Sequence, residues 1–404
     1  MSQSTNHLPP RNSIPFARPS IDREEIESIT EVLKSGWLTT GKVTAKFEEE
    51  FADFIGARYA LALNSATAGL HLSLEAIGVK EGEYVITSPF TFAATAEVIR
   101  YLGADPLFAD IEEKTGNLDP KEVKKTILKN KKQIGAIIPV HFAGLPCEME
   151  EIKEIAQKEN IPIVEDAAHS FPVRVTEGKY KDKFVGTLGE TGVFSFYVTK
   201  PITTAEGGML VTDNLRIAER VKIMRLHGID RDVFDRYTSK KASWIYDVVA
   251  PGYKYNMTDL AASIGIVQLK KANILLKKRR ELAQRYIEKL SGYDFLEPPV
   301  YREDHAWHLF VILLNLEKLK ISRDEFMKKL RKRGIGCSLH FIPLHIMTYY
   351  KKRYGYKRED FPVSYRRFLR SISLPLYPNL TEEEVDFISQ TVIDIGKNNY
   401  ITQF

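Results

Sequence analysis

The sequence predicts an α/β protein built on a mostly parallel sheet with helices on both faces, followed by a smaller α+β part. Two observations carry this prediction. Short β-branched runs at Tyr84–Thr87, Ile134–Val140 and Ile161–Val164 alternate with helical patterns at Pro120–Lys129 and Met149–Lys158, the rhythm of βαβ units. After about residue 255 that rhythm fades and isolated strands and helices replace it. The 404 residues, 44% apolar and 27% charged, are ample for two domains with a large core.

In chain order, Ser20–Gly36 opens with capping residues, places Ile26, Ile29, Val32 and Leu33 on one helical face, and stops at glycine. The alternating α/β stretch follows. Thr258–Leu290 reads as long helix broken near Ala272–Ile274. Beyond it, Trp307–Leu316 is a strand, Ser322–Arg333 an amphipathic helix ending at Gly334, and Thr381–Ile395 a closing helix with a Thr cap and acidic first turn. The resulting division is an N-terminal arm over residues 1–19, polar and partly disordered, a large domain over 20–270 and a small domain over 271–404.

Bulk charge excludes little but directs attention. The 58 bases and 53 acids leave +5, too small an excess to favour nucleic acid as main partner. Cys147 and Cys337 form no metal-spaced pair and no disulfide framework, so both read as packing residues in a reducing compartment. The first residues lack the pattern of a signal peptide, and the longest apolar stretches fall well short of the ~20 residues that span a bilayer. The expectation is a cytoplasmic protein with no membrane partner. His305 with His308, and His340 with His345, have no Cys or acid at metal spacing, so no metal is expected.

Four segments carry chemistry. Leu61–Leu74, LALNSATAGLHLSL, runs from an apolar strand through small hydroxyl residues into a helix. Free N–H groups at such a helix start, with Ser65 and Thr67, would hold an anion; alternatively the hydroxyls merely cap the helix. In PFTFAATAE (89–97), Phe92 could lie flat on a planar ring or belong to the core. In IPIVEDAAHS (161–170) a buried strand runs into Glu165 and Asp166 and ends at His169. A carboxylate there can hold a protonated ring nitrogen, the part an acid plays opposite pyridoxal phosphate; a metal-binding acid or a helix cap are the competing readings. Finally, GVFSFYVTKPITTAEGGMLVT (192–212) sets Ser195 and Lys200 between two apolar strands. A desolvated amine there would have a lowered pKa and could form a Schiff base.

Together with SGWLTTGK (35–42), PVHFAGLPCEMEEI (139–152), PGYKYNMTDLAASI (251–264), HAWHLF (305–310), RGIGCSLHFIPLH (333–345) and SLPLYP (373–378), these segments resemble the DegT/DnrJ/EryC1/StrS sugar-nucleotide aminotransferases from roughly Pro15 to Ile395. GYKYN, HAWHLF and GIG..LHF are most similar to the branch that aminates a UDP-4-keto-pentose, using glutamate. The resemblance implies the type I fold of pyridoxal-phosphate-dependent transferases, with pyridoxal 5'-phosphate bound covalently to Lys200, which also moves the proton. It implies Asp166 at the pyridinium nitrogen, His169 near the ring hydroxyl, Phe92 stacked on the ring, and Thr67, Ala68 and Ser195 at the phosphate. L-glutamate and a nucleotide-linked keto sugar would be the substrates, and a homodimer the working unit. Trp37, Thr39, Thr40, His340 and Phe341 are candidates for the sugar pocket. The family commonly has G-Y-N-Y-R where this chain has Gly252–Asn256, so either Lys254 or Asn256 would reach the neighbouring subunit's phosphate. Relatives that deoxygenate sugars carry histidine where this chain keeps Lys200, and the regulators of the same fold carry a fused DNA-binding domain that the first 20 residues do not resemble. The basic stretch VRVTEGKYKDKF (173–184) is a surface hairpin or a lid over the nucleotide.

Overall fold

The computed structural model describes residues 13–130, 133–230 and 246–401. Its elements in chain order are α1 (Arg23–Ser35), α2 (Lys42–Ile55), β1 (Tyr59–Leu63), α3 (Ala66–Ala76), β2 (Tyr84–Thr87), α4 (Ala93–Tyr101), β3 (Asp105–Phe108), α5 (Pro120–Lys129), β4 (Ile134–Ile138), α6 (Met149–Lys158) and β5 (Val164–Asp166). There follow β6 (Thr191–Ser195), β7 (Gly208–Thr212), α7 (Leu215–Met224), α8 (Asp259–Leu290), β8 (Leu296–Glu297), β9 (Phe310–Leu314), α9 (Arg323–Lys332), α10 (Thr348–Tyr354), α11 (Pro362–Arg370), β10 (Ser371–Leu374) and α12 (Glu382–Asn398).

The first seven strands make one sheet. β1–β7–β6–β5 and β4–β2–β3 are hydrogen-bonded in those orders, and parallel bridges Ile137–Ile163 and Val140–Asp166 join the two sets. All strands run one way except β7, which is antiparallel to both β1 and β6. This is the mostly parallel sheet that the alternation predicts, and its buried strands read as continuous apolar runs because helices cover both faces. One apolar layer joins α3, α7 and the sheet through Leu70, Leu72, Val193, Leu210 and Val221. The opposite layer packs Phe47, Phe51, Phe194, Phe196 and Ile266 from α2, β6 and α8.

β8, β9 and β10 form a separate antiparallel sheet in the order β10–β9–β8. Around it α9, α12 and the end of α8 build their own core, including Phe310, Phe326, Leu330, Val385 and Ile388.

Two sequence expectations need correction. α8 is one unbroken helix of 32 residues. Ala262, Ile266, Leu269 and Leu275 pack on the large sheet's layer, whereas Leu282, Ala283, Tyr286 and Leu290 pack in the C-terminal core. The apparent break near Ala272–Ile274 is therefore a change of packing partner along a continuous helix. In α1, Val32 is buried but Ile26 and Leu33 are exposed. The buried face instead includes Glu25, whose carboxylate meets Lys271 at 2.9 Å and Gln268 at 2.7 Å on α8. Within the arm, the described residues include Ile14, which is buried and pairs in parallel with Ile335. The stretch 173–184 is a hairpin, with Arg174 bridged to Phe184 in antiparallel fashion and its guanidinium 3.8 Å from that ring's centroid.

Candidate active site

Strands that run one way deliver whatever follows them to one edge of the sheet, where ligands of open α/β folds bind. A cavity of about 440 Å³ lies there. Its walls include Thr67 after β1, Phe92 and Thr95 after β2, Val140 after β4, Asp166 and His169 from the end of β5, and Ser195 and Lys200 after β6. The C-terminal part contributes His308, His340 and Phe341. Nine residues singled out from sequence (Ser65, Thr67, Phe92, Asp166, His169, Ser195, Lys200, His340 and Phe341) thus meet in one place.

Lys200 is pushed down to about 8, because burial disfavours its ammonium form more than the charge of Asp166 supports it. Asp166 is buried and its carboxyl is raised by that burial, opposed by two hydrogen bonds. Thr95 donates to Oδ2 at 2.8 Å and the N–H of Ala168 to Oδ1 at 3.2 Å. Thr91 and Thr95 share a further hydroxyl contact of 2.9 Å. These threonines are part of the site that sequence reasoning missed; the only trace they leave is a hydroxyl four residues after another at the start of α4.

Glu165, next to Asp166, points the other way, as strand alternation requires. It is fully buried and accepts from His141 Nε2 at 3.0 Å and from the N–H groups of Gly186 at 2.9 Å, Leu188 at 2.5 Å and Gly189 at 2.6 Å. His141 Nδ1 accepts the N–H of Cys147 at 3.0 Å, so Nε2 carries the proton that Glu165 receives. Behind the cavity, this network pins the 186–189 turn.

At the anion cup, Ser65 is the N-cap of α3 and its hydroxyl accepts the Ala68 N–H at 3.1 Å. The capping reading holds for Ser65, and Ala68, whose N–H is thus engaged and whose side chain is buried, does not line the cavity. The close approach is made by glycine from the facing strand. A Cβ on Gly208 would lie 2.5 Å from the Ala66 nitrogen, so only glycine lets β7 run beside the start of α3.

The remaining candidates lie outside the cavity within this chain. Thr40 is buried and donates to the Met257 carbonyl, while Asn256 Nδ2 donates to Thr40 Oγ1 at 2.6 Å. The Thr40 hydroxyl is thereby spent in joining two loops. Trp37 Nε1 donates to the Thr40 carbonyl at 3.1 Å, and the carbonyl of Thr39 accepts the Asp259 N–H at 3.2 Å. Lys254 has an exposed side chain, and its carbonyl accepts from Asn64 Nδ2 at 3.3 Å. No residue of the 173–184 hairpin lines the cavity. His305 is engaged by Trp307, whose N–H it accepts at 2.8 Å. Both cysteines are buried with free thiols, and no described helix is long and apolar enough to cross a membrane.

The residues present fit pyridoxal phosphate. A lysine amine of lowered pKa, a buried carboxylate, a helix N-terminus, an open aromatic face on the 63% exposed Phe92 and a buried histidine whose Nδ1 has no hydrogen-bond partner among the described residues converge on one cavity.

The sheet order and this site together define the type I fold of pyridoxal-phosphate-dependent transferases. Residues 19–393 match the DegT/DnrJ/EryC1/StrS aminotransferase family. The chain is 43% identical over 400 residues to the spore coat polysaccharide biosynthesis protein SpsC of Bacillus subtilis, covering 98% of this chain and 99% of that one. Among solved structures it superposes on Spr1654 of Streptococcus pneumoniae, a candidate sugar aminotransferase in its PMP form, with a TM-score of 0.88 and 31% identity over 95% of this chain and 99% of that one. It superposes equally on Helicobacter pylori PseC, an aminotransferase involved in the biosynthesis of pseudoaminic acid, with a TM-score of 0.87 and 29% identity over 96% of this chain and 100% of that one. The protein belongs to the DegT/DnrJ/EryC1/StrS family and is an aminotransferase.

Proposed function

We propose that this enzyme uses pyridoxal phosphate to move the amino group of L-glutamate onto a nucleotide-activated keto sugar, giving an amino-sugar nucleotide and 2-oxoglutarate. The observation that carries the reading is Lys200, an amine lowered to about 8 that shares its cavity with a strand-end carboxylate and a helix N-terminus. The PMP form of Spr1654 supports the cofactor, and the descriptions of SpsC and PseC support a sugar as acceptor.

When bound, pyridoxal phosphate supplies an electron-withdrawing ring that takes up the electron pair left when a proton leaves the substrate carbon. The chain's residues then divide the work. The start of α3, with the hydroxyls of Thr67 and Ser195, would hold the phosphate, and Ala68, whose N–H is taken by Ser65, would support that turn from behind. Phe92 would cover one face of the ring and His169 would lie near its hydroxyl, both lining the cavity. Asp166, whose charged form is supported by hydrogen bonds from Thr95 and Ala168 against the burial that disfavours it, would hold a proton on the ring nitrogen. Lys200 Nζ anchors the cofactor and carries a proton between two carbons, a task suited to a base whose pKa lies near working pH. His340 and Phe341 face the sugar, Trp37 and Thr39 are assigned to the same pocket from the loop before α2, and Thr40 shapes that loop through its bonds with Met257 and Asn256. Either Lys254 or Asn256 is assigned to a phosphate site shared across a homodimer. The working compartment is the cytoplasm, and the large and small domains divide near residue 270. Within the class, the acceptor is a UDP- or dTDP-linked 3- or 4-keto sugar, and the resemblance of GYKYN, HAWHLF and GIG..LHF favours a UDP-linked 4-keto-pentose.

Adding glutamate alone to the cofactor-loaded enzyme should release one equivalent of 2-oxoglutarate per site. A panel of UDP- and dTDP-linked 3- and 4-keto sugars then identifies the acceptor by which compound restores the starting absorbance. Absence of 2-oxoglutarate would overturn the reading, and restoration only by 3-keto or dTDP-linked compounds would overturn the pentose assignment.

A further inference from the structure

Three histidines face the cavity, and His308 has no part in the scheme above. It arrives on the loop preceding β9, whereas His340 is tied to β10, its Nδ1 lying 2.9 Å from Ser373 Oγ. The wall that these two histidines form therefore depends on where β9 begins and β10 ends. The paired register of the two strands stops at Phe310 and Leu374. Past that point, the carbonyls of Trp307 and Leu376 need a donor from elsewhere.

Arg279 of α8 supplies that donor. Its Nη1 donates to the Trp307 carbonyl at 3.1 Å and to the Leu376 carbonyl at 2.8 Å, so one nitrogen bridges the two chains where their ladder leaves off. Seven residues on, and on the same face of the helix, Tyr286 donates its hydroxyl to the Pro375 carbonyl at 3.0 Å. Arg279 stands where α8 passes from the large sheet's layer, at Leu275, to the C-terminal core, at Leu282. The turn it grips is held from the other side too. The Ala306 N–H donates to the Gly144 carbonyl at 2.9 Å and the Leu309 N–H to the Ala143 carbonyl at 3.2 Å. Between them Trp307 is fully buried at φ 49°, a left-handed conformation that a bulky residue keeps only where its surroundings over-determine it.

A packing role alone fits Arg279 poorly. Its guanidinium is buried, has no acidic partner among the described residues and leaves Nε sealed without a hydrogen bond. Burial pushes it down to about 10. An apolar side chain of similar length would avoid the cost of that charge, but it would leave both carbonyls without this donor. We propose that Arg279 is a positioning residue for the acceptor sugar: by bridging the Trp307 and Leu376 carbonyls, it sets where His308 and His340 stand in the cavity. This rests on the proposed function, in which the C-terminal wall of the cavity meets the sugar.

The test replaces Arg279 in the full chain and reads the wall directly. In the cofactor-free protein labelled with 15N-histidine, the side-chain signals of His308 and His340, identified by His308→Gln and His340→Gln, should both shift in Arg279→Met. Arg279→Lys, which keeps the charge and its donors on a shorter stem, should shift both by less. Tyr286→Phe removes a bond from the same helix face but leaves the bridge, so it should lower the melting temperature and leave both signals in place. In the loaded enzyme, Arg279→Met should raise KM about tenfold for whichever UDP- or dTDP-linked keto sugar restores the starting absorbance. It should slow the single-turnover release of 2-oxoglutarate from glutamate far less, a split that general loosening of the fold would not give. If Arg279→Met does not melt cooperatively, Arg279→Lys must still move both signals and the KM in the same direction. Unmoved histidine signals in the folded variants, or a KM raised as much by Tyr286→Phe, would overturn the proposal. If the signals move as expected but wild type releases no 2-oxoglutarate, the functional reading fails and the bridge stands.

Discussion

The two acids that end β5 occupy unlike regions, although they are neighbours in sequence. On one side Asp166 opens into a cavity, supported by two hydrogen bonds and facing Lys200. On the other, Glu165 is enclosed by a histidine and three backbone amides that satisfy it completely. The difference teaches that burial alone does not mark a functional acid. The enclosed carboxylate holds a turn in place; the one left partly unsatisfied beside a lowered amine is available for chemistry.

The comparison can be broken by substitution on each side. Lys200→Ala, on the cavity side, should abolish borohydride-trapped cofactor and reduce turnover by about 10⁴-fold, with the melting temperature of the cofactor-free protein unchanged or raised. Glu165→Ala should behave oppositely, costing about 3–5 kcal/mol in denaturant unfolding because His141 and the amides lose their buried partner. Asp166→Asn should cost rate without comparable stability, since burial already disfavours its charge. A stability loss at Asp166 as large as that at Glu165 would erase the distinction.

A pH test sharpens it. Lys200 falls from 10.5 to about 8 on folding, so between those values the unfolded chain holds a proton that the folded chain has released. Stability of the cofactor-free protein should therefore rise with pH across that window, by no more than about 3 kcal/mol, and the rise should be absent in Lys200→Met. Unfolding curves of both proteins at pH 7.5 and 10 measure the difference. The smallest effect is expected for Thr95→Val, which removes one donor from Asp166 and should cost about 1 kcal/mol of transition-state stabilisation, read as a severalfold fall in kcat/KM.

Much of the site was legible because its parts are local. A strand running into Asp166, a hydroxyl-rich start to α3 and a lysine between two apolar strands each keep their spacing wherever the chain goes. The helices Pro120–Lys129 and Met149–Lys158 and the strand Tyr84–Thr87 fall where their patterns place them. What stayed hidden depends on partners distant in sequence. Thr95 meets Asp166 across 71 residues, Glu25 is buried only because Lys271 awaits it, and the pattern change in α8 records two cores rather than a break.

The sequence by itself determined the alternating α/β class and the order of the residues that line the cavity, because periodicity and strand-end chemistry are short-range properties. Only the tertiary structure decided that Glu165 is enclosed by His141 and three backbone amides, that Thr40 is occupied in joining two loops, and that the His308 and His169 rings lie 4.4 Å apart. Those outcomes depend on which surfaces meet when β5 is inserted between β4 and β6 and α8 bridges two cores, and no local pattern encodes such a meeting.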